Sequence, residues 1–415
     1  MLRLLVLGNG FDLAHGYPTR YIDFLSFCYI LSGESKSIEC LKPSNQVKKV
    51  IEIFNKNNYG RDKIITMIKG NLWIKHFINQ LDNLDDTWID FEREIQECCK
   101  KSVKNDDNDP VLEFFEWGPL THDIELMKAN FKDLIFLIKT YIKIVMDLPT
   151  NLYYKEILDF DPNMIINFNY TRTFQKFYLN NIETDYIHGV ADSNATNNIV
   201  LGFNTMNDKN TDIKYAEFLK YFQMVENENT TDVFNKYLDL HGEQRIVIFF
   251  GHSLDSTDED IVKNVILSSD TVYILWHDEV GRNRSIKNLI DIFGKQTFMS
   301  LCLTSQRRIV FVKQNDPILT DTAFNLYKQF KSLNSKDKLL KVLNEDIKDA
   351  PFRSLCDCVA ASDRLPILGF SPENSKKIME KIKNNLVKIK PNSFIKSGDI
   401  NDAVKTIDNR LRFYR

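Results

Sequence analysis

Asn169 and His188 are the side chains of this 415-residue chain best suited to handling a hydroxyl group or a water molecule. An amide offers a donor and an acceptor on one side chain. An imidazole, with an unperturbed pKa near neutrality, can take a proton from water. Both lie at the ends of short apolar runs, Met164-Ile-Ile-Asn-Phe-Asn-Tyr170 and Tyr186-Ile-His-Gly189. Alone, such an Asn reads as a turn cap and such a His as a hydrogen-bonded structural residue. Two further runs end in groups of similar kind. Met1–Leu7 leads into Gly8-Asn9-Gly10-Phe11-Asp12, and Arg245–Phe250 into Gly251-His252-Ser253, with Asp255 close behind. Gly8 and Gly10 let the backbone turn sharply and approach a ligand. Asp12 is placed to cap the helix that follows, whose open N–H groups can hold a pyrophosphate. A bulky residue at Gly10 is expected to block that ligand while sparing much of the fold.

The elements that must position these groups alternate in type. Strands are expected at 1–7, 164–170, 186–189, 199–202, 245–250, 271–276 and 308–312, with helical patterns between them. Such alternation gives a parallel sheet with helices on both faces. Ligands of such sheets gather beyond the carboxyl ends of the strands, so four polar strand ends on one edge carry more weight than any one of them. Residues from about 40 to 160 read as helix throughout. There Trp88, Phe91, Glu92 and Ile95 recur at helical spacing, which puts Glu92 beside an apolar stripe, first of all as the edge of a packed helix. Thr19 is expected to cap an early helix, Asn105 to Pro110 to form an acidic connection, and residues 205–242 to form a polar helical cover. Asp258, Glu259 and Asp260 suit the first turn of a helix through its dipole. The organisation is therefore an α/β core over 1–313, with helical insertions at about 40–160 and 205–242. A mainly helical region, 314–415, follows it.

Composition narrows the classes. Net charge is −3, yet from Lys376 onward eleven Lys or Arg face four Asp or Glu. A basic tail on an acidic body either docks on that body or touches nucleic acid. The seven cysteines form no Cys-x-x-Cys pair, which argues against a zinc ribbon or a redox pair and for a reducing, cytoplasmic setting. No apolar stretch reaches the roughly 18 residues of a membrane span, so a soluble protein without membrane contact is expected. His15, His252 and Asp255 lack metal-ligand spacing, and His76 and His122 have no partners at ligand spacing; no metal is expected.

The pattern Gly8-x-Gly10-x5-Gly16-x-Pro18 resembles the opening of the sirtuins. The string Leu-Gly-Asn-Gly-Phe-Asp-Leu-Ala-His-Gly resembles the start of the AbiH family of bacterial abortive-infection proteins. Asn-Phe-Asn-Tyr-Thr, Ile-His-Gly and Phe-Gly-His-Ser-Leu-Asp extend the AbiH resemblance, and their order matches the sirtuin motifs. The resemblance implies a Rossmann-like, sirtuin-like parallel sheet that binds NAD as substrate. It places Asn169 and His188 in catalysis. Gly8, Asn9, Gly10, Phe11, Asp12, Gly16, Pro18, Arg20, Gly251, His252, Ser253 and Asp255 would bind the nucleotide, Asp255 at a ribose. Thr171 stands where sirtuins have aspartate, Arg20 is one place out of register, and the four zinc cysteines are missing. Hydrolysis of NAD is therefore favoured over protein deacylation. That cleavage makes an oxocarbenium-like ribose, with Asn169 and His188 orienting ribose and water. The alternatives are a sensor that holds NAD or ADP-ribose without turnover, and an effector acting on nucleic acid. A phage-derived trigger, a partner protein and self-association are the expected regulators.

Overall fold

The computed structural model describes residues 1–414 except 35–37, 58, 84–90, 105–123, 151, 179–180, 193–198, 206–212, 214, 241, 305–306, 316–325, 327–328, 349 and 392–394. Trp88, Asn105 to Pro110, His122 and part of 205–242 lie outside the described residues.

Six strands form one all-parallel sheet: β1 Leu2–Leu7, β2 Met164–Asn167, β3 Glu183–Tyr186, β4 Arg245–Phe250, β5 Thr271–Trp276 and β6 Ile309–Lys313. Their order is β3-β2-β1-β4-β5-β6, so the direction of chain progression reverses between β1 and β4. β1 is central because it can be buried on both faces: Leu4, Leu5, Val6 and Leu7 are almost wholly inaccessible. Side chains alternate across the sheet. Leu5, Leu7, Ile165, Ile248 and Phe250 join the core under the first helical insertion. Leu4, Val6, Ile166, Val247 and Phe249 join the core on the opposite face. Register aligns the carboxyl ends, since Leu7 pairs with Asn167 and Phe250, and Asn167 with Tyr186. The residues that follow therefore emerge along one line.

Three strand assignments change: β2 ends at Asn167, so Asn169 lies two residues past it. β3 is Glu183–Tyr186, so His188 lies two residues past its end. Ile199–Gly202 is not a strand; beside it Phe203 makes a lone parallel bridge to Leu219. Polar pairing without an adjacent sheet edge is what separates that segment from a true strand. Thr19 is not the cap of the early helix either: the helix Tyr21–Ser32 is preceded by Arg20, and the Thr19 hydroxyl donates to Asn9 Oδ1. Beyond β6 the described residues hold helices and no strand. They build a core of their own from Phe330, Leu339, Leu355, Ile378, Ile382, Leu386 and Ile407. The basic tail is part of that core: Lys381 Nζ donates to the carbonyls of Val342 and Leu343 at 3.0 and 2.8 Å. No helix among the described residues is long and apolar enough to cross a membrane.

Candidate functional site

At the point where strand order reverses, the ends of β1 and β4 interlock. Gly10 N–H donates to Gly251 O (2.8 Å), Gly8 N–H to Phe250 O (3.1 Å) and Phe11 N–H to Gly8 O (2.9 Å). A Cβ on Gly10 would come within 2.7 Å of Gly251 Cα, and one on Gly251, where φ is +69°, within 2.3 Å of Phe11 N. The glycines thus serve close approach of backbone to backbone. A bulky residue at Gly10 would break this contact, which corrects the expectation that it would spare the fold. Phe11 is core, edge-on to Phe250 at 5.1 Å.

Asp12 does not cap the short helix Asn9–Ala14, whose N-cap is Gly8. Its buried carboxylate accepts from the hydroxyls of Thr173 (2.6 Å to Oδ1) and Thr171 (2.8 and 2.7 Å). Burial outweighs these bonds and pushes its pKa up to about 7. His15 is also internal. Its Nδ1 donates to Phe11 O (2.7 Å) and its Nε2 accepts from Tyr178 Oη (2.8 Å). Burial brings it down to about 4, despite the Phe11 carbonyl.

Asn169 lies across the same crevice. Its Nδ2 donates to Gly8 O (2.9 Å) and its N–H to Asn167 Oδ1 (2.9 Å). Those bonds fix the amide's orientation, and its own Oδ1 has no hydrogen-bond partner among the described residues. His188, beyond β3, points its Nε2 at Asp258 Oδ1 (3.0 Å). A carboxylate can only accept, so Nε2 carries the proton, and in the neutral ring the lone pair is then on Nδ1. Nδ1 has no hydrogen-bond partner among the described residues. Phe168 packs edge-on against both His188 and His252, at 5.4 and 4.3 Å between ring centres.

Around this pair lies a charged cluster. Lys220 Nζ is 3.1 Å from Asp258 Oδ1, 2.9 Å from Glu92 Oε2 and 3.4 Å from His188 Nε2. The lysine is 5% exposed. It is delivered by the chain 199–226, where Gly202 permits an approach that a Cβ would block, 2.0 Å from Phe218 O. Gln223 locks the same segment by accepting from Leu201 N–H and donating to Leu201 O. Burial disfavours the Lys220 charge, but Asp258 and Glu92 outweigh it and hold the pKa above its ordinary value. Burial likewise opposes ionisation of Asp258, yet Lys220 and then His188 hold it well below the usual carboxylate range. His252 is brought down to about 4 by burial, against Asp258. Its Nδ1 accepts from Leu254 N–H (2.9 Å), in a turn where Leu254 takes an uncommon φ of +56°.

Beside the cluster opens a cleft of about 480 Å³ between the helix Phe91–Lys104, residues 203–205 and the turn 255–257. Asp255 lines it, while its Oδ1 accepts from Thr257 N–H (3.2 Å). Of the residues expected to act, Gly8, Gly10, Asn169, His188, Gly251 and His252 do converge. Of all the residues expected to act, only Asp255 lines the cleft; Arg20 and Ser253 are exposed, and Pro18 O accepts from buried Tyr141. Sequence reasoning missed Lys220, which sits in a stretch read as a cover. It also left Asp258 to the helix dipole, although the Asp258 side chain makes no cap bond and turns into the cluster. Glu92, which the sequence places at the edge of a packed helix, joins the cluster through Lys220, and its position beside an apolar stripe is the signal. Among the described residues no His, Cys, Asp and Glu group could hold a metal ion.

Fold and site together define a parallel α/β protein with a buried His–Asp pair beyond the carboxyl ends of its strands and a cleft beside the charged cluster. The chain belongs to the AbiH family: residues 4–277 match the model of that family, described as bacteriophage abortive infection AbiH. The family points to a role in abortive infection of bacteriophage. No curated protein and no solved structure matches the chain.

Proposed function

We propose that this protein is an abortive-infection effector that binds NAD at the crevice between β1 and β4 and hydrolyses it to nicotinamide and ADP-ribose. The observation that carries the reading is His188, oriented by Asp258 and with no partner on Nδ1 among the described residues, beyond the carboxyl ends of a β3-β2-β1-β4-β5-β6 sheet. That strand order is the one used by doubly wound dinucleotide-binding folds, with ligand at the reversal. In the reaction the C–N bond between nicotinamide and ribose breaks, and its electron pair leaves with nicotinamide. Water adds to the cationic C1′, and its proton goes to His188 Nδ1. Asp258 stabilises the imidazolium so formed, as the carboxylate of a catalytic triad does. Asn169 Oδ1 is the acceptor that orients a ribose hydroxyl or the water.

The test is nicotinamide release by purified protein. His188→Ala and Asn169→Ala should each lower it by about 10²–10⁴-fold, as expected when a general base or its substrate-positioning partner is lost, while still melting cooperatively. Wild-type rates in both variants, or no release from wild type even with phage-infected lysate, would overturn the reading. A second reading, a switch that holds NAD or ADP-ribose without turnover, is favoured by one observation. The N–H groups of Gly8, Gly10 and Phe11 are engaged within the protein. Binding without release would establish it.

A further inference from the structure

Glu92 is the one residue shared by the cleft wall and the buried charged cluster. It comes from the first helical insertion, Lys220 from the second, and Asp258 from the chain after β4. Its side chain is 11% exposed. Oε2 is tied to Lys220 at 2.9 Å, whereas Oε1 has no hydrogen-bond partner among the described residues. Lys220 needs one carboxylate for neutrality and has two, Glu92 and Asp258. Asp258 is further matched by His188. Of the two carboxylates on Lys220, Glu92 is thus the one left to offer negative charge toward the cleft, which Glu97 and Asp255 also line; burial pushes its pKa up, and Lys220 opposes that shift.

We infer that Glu92 is a further catalytic residue, whose carboxylate faces a cationic N-ribosyl group bound in the cleft. The inference rests on the NAD-cleavage reading and adds a substrate class to it: ribosides whose base is a pyridinium cation. In the ground state the positive charge is on the pyridinium ring. As the C–N bond breaks, that charge moves to C1′ and the ring oxygen, and nicotinamide leaves neutral. A carboxylate near the sugar stabilises this shift as one does in glycosidases, and the burial of the Glu92 side chain strengthens it. The charge ends as a proton on His188. Lys220 fixes the Glu92 carboxylate and keeps two carboxylates at close quarters from repelling each other; it is a positioning residue.

The experiment uses Glu92→Gln in the full chain, because an amide oxygen can still accept from Lys220. Calorimetry with NAD and with NADH, whose ring is neutral, reads the charge preference without needing turnover. Wild type should prefer the cation by about tenfold, the equivalent of one modest charge interaction, and Glu92→Gln should bind both alike. Nicotinamide release should fall by about 10²–10³-fold, the range for loss of one preorganised electrostatic group. Lys220→Arg, which keeps the charge, should retain most of the cation preference. Equal binding of NAD and NADH by wild type overturns the role of Glu92 even if nicotinamide is released. A cation preference lost in Glu92→Gln, without release by any form, supports Glu92 and overturns hydrolysis. Binding of neither ligand overturns both.

Discussion

Asp12 and Asp258 sit on the same edge of one sheet, both drawn out of water, and their carboxyls move in opposite directions. Among the described residues Asp12 meets only neutral donors, the hydroxyls of Thr171 and Thr173, and is pushed up to about 7 by burial. Asp258 suffers the same burial, but Lys220 and His188 hold it well below the ordinary range. Two hydroxyl bonds do not replace the hydration of a carboxylate, whereas an ammonium in contact does. The comparison separates a site held together by shape from one held together by charge.

The largest expected effect comes from Lys220→Met, which would turn Asp258 into a second Asp12. Removing one member of a buried ion-pair network leaves its carboxylates uncompensated and should cost about 3–5 kcal/mol. Urea unfolding at neutral pH measures it, and a loss below about 1 kcal/mol, the level of a surface pair, would contradict the charged description.

A smaller effect attaches to Asp12. Its folded pKa is raised above the unfolded value, so its contribution to stability is full below the unfolded value of 3.8 and is lost as pH rises through about 7. Wild type should lose on the order of 2–3 kcal/mol relative to Asp12→Asn between about pH 5 and about pH 8. Parallel stability curves for the two proteins would remove the contrast with Asp258. Thr173→Val is expected to be the mildest, at about 1 kcal/mol for one lost hydrogen bond. It should cost more at about pH 8 than at about pH 5, because hydroxyl donors favour the ionised carboxyl; a pH-independent cost would show that Thr173 does not act through Asp12.

The fold was legible because its strands are apolar runs of the right length between helical patterns. The reversal between β1 and β4 brings together ends that the sequence already marked with glycine, asparagine and histidine. What the glycines do was not legible. Gly8-x-Gly10 reads as a ligand turn, but the group that comes within 2.7 Å of a Cβ at Gly10 is Gly251, more than two hundred residues away. Asp12 was read through local capping rules, and its partners lie across the crevice at Thr171 and Thr173. Lys220 was hidden for a related reason. A lysine in a polar segment looks solvated until tertiary contacts bury it against Glu92 and Asp258. Local rules find elements, while the chemistry here is made by contacts between insertions that no spacing announces.

β1 is the first strand of its sheet to leave the ribosome, and both its neighbours come late. Leu7 pairs with Asn167 and with Phe250. At about 5–20 residues per second of synthesis, the central strand waits on the order of 10–50 s for the second partner that completes its pairing. The cluster needs Glu92, His188, Lys220 and Asp258 together, so it exists only once the chain has passed residue 258. A nascent or prematurely ended chain therefore carries none of the assembled site, and translation itself sets the earliest moment at which the protein can act.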